Sequence, residues 1–205
     1  MNLTKLISNF NMLNEKNFEY TLEITDDEKP KGFEHVSFKS YKLVNNGREF
    51  FVRCPIAKLL TQGINGENEN KYIKYIPSLL IPRKKFPANI YMYAVKYYLS
   101  TNHSMRKVSN HICEKFNLET FSHSTICRLL QKLSNTFVSL KDVFAIDLEN
   151  VKPSKVYLWE KWDADKQEKM RFISKLLEGV LSSTAEIVDK LCVKYFKNTT
   201  GEFLF

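Results

Sequence analysis

The sequence predicts a mainly α-helical protein with a small N-terminal β-hairpin, built on a trihelical helix-turn-helix core with further helices C-terminal to it. Three observations carry that prediction. Apolar residues recur at helical spacing from about Ile90 onward. Asn45-Asn46-Gly47 divides two β-prone runs. Between Ser104 and Leu133, two short amphipathic segments are split by a small polar turn.

The elements follow in order. In residues 1–30, Leu3, Leu6, Ile7, Phe10 and Leu13 suit one short helix face, and Thr25 to Lys31 reads as a polar linker. Residues 33–76 hold the hairpin and a loop. Val36, Phe38, Tyr41 and Leu43 precede the Asn-Gly turn, and Phe50, Phe51 and Val52 follow it. A lone hairpin is marginal in water, so this one must lean on something else. Thr61 to Asn70 reads as a flexible polar loop.

Residues 77–135 form the trihelical unit. Pro77, Pro82 and Pro87 hold the lead-in away from helix, and Pro87 suits a first helical position. Ile90, Tyr91, Ala94, Val95, Tyr98 and Leu99 then make a helical stripe. Ser104 caps a second helix with Val108, Ile112 and Phe116 on one face. Asn117 to Phe121 is the turn. Ser122 caps a third helix whose Ile126, Leu129, Leu130 and Leu133 point inward. Residues 136–205 form a C-terminal helical region. It holds aromatics at Tyr157, Trp159 and Trp162, a helical period over Ala164 to Leu181, and a Ser183/Glu186 capping box before a last helix. These helices read as a packing or oligomerisation element, which offers a homodimer interface.

Composition bounds the function. With 205 residues, 43% hydrophobic and 13% aromatic, the chain can bury a real core. The four cysteines form no C-x-x-C pair and no disulfide framework. No secretory leader is expected, and no apolar run approaches the roughly 20 residues that span a bilayer. A soluble, cytoplasmic protein without a membrane partner is the expectation. Its net charge is +8. Residues 83–132 hold nine cations against Glu114 and Glu119, so nearly the whole surplus sits on the trihelical unit.

That placement favours a polyanion, and duplex DNA is the expected partner. A reading helix needs an apolar inner face, polar outer residues near its start, and flanking cations for phosphates. His123, Ser124, Thr125, Arg128 and Gln131 are the candidate base contacts, Arg128 suiting guanine and Gln131 adenine. Arg83, Lys84, Lys85, Arg106, Lys107, Ser122 and Lys132 are the candidate phosphate contacts, Ser122 through the helix N-terminus. The competing class is a protein–protein interaction module, phage- or plasmid-borne, whose basic face meets an acidic partner.

Ser104, Arg106, Val108, then Ser122, Thr125, Ile126 and Arg128 stand in S-x-R-x-V and S-x-x-T-I-x-R patterns. These, with the Y-I-P-S-L-L-I-P-R-K-K-F segment before them, resemble the helix-turn-helix of bacterial insertion-sequence transposases and small related proteins. Ser109 stands where alanine is usual in that group. The likeness spans about residues 40–135. It implies mobile-element origin and a small zinc ribbon flanking the hairpin. Only Cys54 stands near the matching place, and a lone thiolate builds no tetrahedral site, so a degenerate ribbon without metal is expected.

Related transposases cut DNA with a carboxylate triad and two metal ions. Asp142, Asp147, Glu149, Asp163 and Asp165 are available, but some 70 residues leave too little chain for such a domain. A non-catalytic protein is therefore expected. His111, Cys113, His123 and Cys127 allow a Cys2His2 set on paper. Because the two cysteines adjoin Ile112 and Ile126, both are expected to be small buried hydrophobes instead. No phosphate-loop or dinucleotide motif is present, so no cofactor is expected.

Overall fold

The computed structural model of the chain describes residues 2–7, 10–16, 18–30, 32–62, 68–146, 148, 162–178, 185–199 and 201–204. The strands are β1 (Asn2–Ile7), β2 (Phe10–Lys16), β3 (Glu19–Ile24), β4 (Glu34–Asn45), β5 (Arg48–Gln62) and β6 (Asn68–Pro77). The helices are α1 (Ala88–Ser100), α2 (Met105–Lys115), α3 (His123–Asn135), α4 (Phe137–Val143), α5 (Ala164–Leu176) and α6 (Ala185–Asn198).

A six-stranded mixed sheet fills the N-terminal part, so the fold is α/β and not mainly α with a small hairpin. The expected helical segment in residues 1–30 is instead three strands, followed by a single 3-10 turn at Asp26–Glu28. The cause is burial on both sides. Leu6 and Ile7 are neighbours in β1, point to opposite faces, and are both buried. A strand covered on both faces shows no alternation, and its apolar residues then mimic helical spacing.

The hairpin is present but larger than expected. Asn46 and Gly47 take φ of 49° and 71°, the paired left-handed conformation that a two-residue turn requires. From it β4 and β5 pair antiparallel along the whole run from Asn45↔Arg48 to Glu34↔Lys58, with a bulge at His35/Ser37. Of the expected loop at Thr61 to Asn70, Thr61 and Gln62 belong to β5 and Asn68 to Asn70 to β6, while residues 63–67 lie outside the described residues.

The far edge of β5 is shared between two neighbours. Parallel β3 occupies it from Phe51 to Arg53, and antiparallel β6 from Ile56 to Gln62. Pro55 sits at the switch. Phe51 N donates to Phe18 O, away from β4, so the odd-numbered N–H groups of β5 point to this far edge. At Pro55 that edge has no N–H to give, and the partner strand changes there. Beyond these strands, β2 pairs antiparallel with β3, and β1 pairs parallel with β6, Asn2 meeting Tyr72 and Ile7 meeting Pro77.

One hydrophobic cluster joins sheet and helices. It includes Leu6, Val52, Cys54 and Tyr75 with Ile90, Val95, Ile112, Ile126, Leu133, Phe172 and Tyr195. The hairpin and the trihelical unit therefore share a core. In the C-terminal region, α5 ends earlier than the expected Leu181, while Tyr157, Trp159 and the Ser183 cap lie outside the described residues. The apolar side of α6 (Val188, Cys192, Tyr195, Phe196) is buried against the chain's own core. No described helix is long and apolar enough to cross a membrane.

Candidate nucleic-acid interface

The trihelical unit is built from its caps inward. Pro87 is the N-cap of α1, one residue before the helix. Ser104 accepts from Lys107 N and starts α2, and Ser122 accepts from Ser124 N and starts α3. Each supplies an oxygen to a backbone donor that the first turn leaves unpaired. Asn117 takes a left-handed φ of 47° and reverses the chain between α2 and α3. The buried Ser109 hydroxyl donates to Phe121 O and ties α2 to the residue before the α3 cap. This gives the serine a task that alanine at the same place could not perform.

Val108 and Ile112 of α2 and Ile126, Leu129 and Leu133 of α3 are buried, as the spacing predicts. Phe116 packs partly buried against the same core. α3 is thus held from its inner side by four apolar residues, Leu130 being the fourth beside the three already named. Its outward arc carries Ser124, Arg128, Gln131 and Asn135, which a rise of 100° per residue places opposite the buried set. His123, Arg128 and Gln131 are exposed, and Ser124 and Thr125 are partly so. Cys127 is exposed and Cys113 half-buried, against the expectation that both are core residues. Adjacency to Ile126 misleads, because one helical step turns Cys127 toward solvent.

The cations divide into two groups. Arg83, Lys84, Lys85, Arg106 and Lys107 are exposed. Among the described residues the Arg83, Arg106, Lys107 and Arg128 side chains meet no carboxylate. Lys84 lies over the Tyr91 ring at 5.9 Å and Lys85 over Phe86 at 5.6 Å. Lys132 differs. Its ammonium donates to Phe203 O at 2.8 Å, so it is committed to the C-terminal segment rather than free for a phosphate. Burial and then the nearby Lys84 charge hold its pKa below the usual lysine value, while Glu202 acts in the opposite sense.

The other flank of α3 is different in character. Gln131 lines a cleft with Asp163 and Asp165 at the start of α5. Asp163 is spent as the α5 N-cap, accepting from Lys166 N at 2.8 Å, and Asp165 pairs with Lys169 at 2.6 Å. Asp165 is paired and Asp163 is engaged as a cap, and both stand beside Gln131 at one side of the exposed arc.

On the far side of α2, Tyr97 and His111 stack at 4.1 Å and Tyr93 OH lies 3.3 Å from His111 Nε2. His111 is used in packing. Among the described residues, no three of His, Cys, Asp and Glu come together as a metal site. Cys54 is fully buried, and burial pushes its thiol up to about 12, so it stands there as a neutral thiol.

Two features escape the sequence. The hairpin tip rests on the helix-turn-helix turn: Asn117 Nδ2 donates to Asn46 O at 3.5 Å, and a Cβ on Gly47 would stand 2.7 Å from Asn117 O. Val44 N donates to Lys85 O at 2.8 Å, so the hairpin also holds the basic lead-in to α1. Both contacts join segments far apart in sequence, and no local signal announces them. Comparison with known protein families, with curated proteins and with solved structures finds no match to this chain.

Proposed function

We propose that the chain is a duplex-DNA-binding helix-turn-helix protein of mobile-element, transposase-like origin that acts by binding and not by cutting. The observation that carries the reading is the seating of α3. Its apolar residues are locked into the core while Arg128 faces out and, among the described residues, meets no carboxylate, with cations on neighbouring elements. Arg128 reads base edges in the major groove, helped by His123, Ser124, Thr125 and Gln131. Arg83, Lys84, Lys85, Arg106 and Lys107 hold phosphates, and the Ser122 cap offers backbone N–H groups to one more.

The test is duplex binding followed over a salt series by gel shift or fluorescence anisotropy. Arg128→Ala should cost about 1–3 kcal/mol and relax preference at one base position. Lys84→Ala with Lys85→Ala should weaken every sequence alike and reduce the salt slope by about two. Binding left unchanged by all three substitutions together sinks the reading.

A further inference from the structure

The hairpin and the lead-in to α1 enclose a cleft of about 590 Å³. One wall is β4, with Ser40 and Lys42. The other is the Arg83–Lys84–Lys85 turn. Leu43, Leu80 and Ile81, all buried, make an apolar floor. Four cations thus meet across one cleft. The single carboxylate lining it, Glu49, pairs with Lys42 at 2.7 Å, both side chains being more than half exposed.

The two walls of the cleft are tied together. Val44 N to Lys85 O fastens one wall to the other, and the hairpin tip is seated on Asn117. Arg83 adds a second sign. Its φ is 65°, a left-handed conformation that a non-glycine residue adopts at a cost. Glycine or asparagine would make that turn more easily, yet a guanidinium that meets no carboxylate among the described residues stands there.

We propose that this cleft grips the phosphate backbone of duplex DNA beside the segment that α3 reads, with Lys42 and the Ser40 hydroxyl from the hairpin acting together with Arg83, Lys84 and Lys85. The inference rests on the DNA-binding reading above and extends it: the β4–β5 hairpin becomes a second contact element. Phosphodiester oxygens suit the site, because cations on two walls can bracket one strand while the apolar floor excludes other anchors. Glu49 becomes a brake, holding Lys42 and repelling the strand.

The experiment measures affinity and salt slope on duplexes of unrelated sequence for wild type, Lys42→Ala, Glu49→Gln and Arg128→Ala. Lys42→Ala should weaken all duplexes several-fold and lower the slope by about one. Glu49→Gln should act with the opposite sign and tighten all of them. Neither should alter which sequence is preferred, whereas Arg128→Ala should. Binding that needs Arg128 but ignores Lys42 and Glu49 overturns the cleft and leaves the function standing. Absence of any duplex binding by the wild-type chain overturns both. Binding of inorganic pyrophosphate that needs Lys42, with duplex affinity untouched by Lys42→Ala, assigns the cleft to a free anion and also overturns the proposal.

Discussion

Gly47 shows how much one residue can decide. At φ 71°, any side chain there is strained, and a Cβ would also press on the Asn117 carbonyl at 2.7 Å. Gly47→Ala should therefore cost roughly 1–3 kcal/mol in urea unfolding, more than a turn glycine free of neighbours would. The cysteines give a chemical readout. Burial pushes Cys54 and Cys192 up to about 12, while Cys127 is exposed on α3. A maleimide at mildly alkaline pH should label Cys127 in the native chain and reach Cys54 and Cys192 only on unfolding. Bound duplex should slow Cys127 labelling, and equal rates with and without DNA would count against α3 as the reader. At this scale the caps Ser104 and Ser122 were legible because a cap is a local event. The fate of Lys132 was not, since its partner Phe203 lies far along the chain.

Among elements, the three helices and the inward faces of α2 and α3 follow from spacing alone. α2 and α3 each present one apolar stripe to one core, the condition under which a 3.6-residue period is readable. The N-terminal strands fail that condition, as Leu6 and Ile7 show, and so they read as helix. Pro55 lies within a central strand because it stands where β5 changes partners. The α2–α3 junction carries its own prediction. The buried Ser109 hydroxyl serves the Phe121 carbonyl, and Ser109→Ala leaves that carbonyl without its donor. The expected loss is about 1–3 kcal/mol of stability, read by denaturant melts. Weaker DNA binding should accompany it, because α3 is then less rigidly seated. A variant of unchanged stability would show that the bond is dispensable.

The whole molecule has one core, and its stability should answer to pH through Asp189 on α6. Burial raises this carboxyl to about 6. The folded chain then holds the proton more tightly than the unfolded one, whose Asp titrates near 4. Its contribution is fully present below about 4 and is lost as pH rises through about 6. Asp189→Asn should remove that dependence and stabilise the chain at neutral pH by on the order of 1 kcal/mol once partial exposure is allowed for, seen as a higher Tm. Identical Tm–pH curves for variant and wild type would refute it. The parallel match of β1 with β6 has a consequence in time. Asn2 meets Tyr72 across 70 residues, the longest sequence span of any strand pairing among the described residues, so its closure costs more chain entropy than that of the hairpin between them. During synthesis the β6 side of the sheet stays open until β1 returns to it. A chaperone that shields naked strand edges would find its target there.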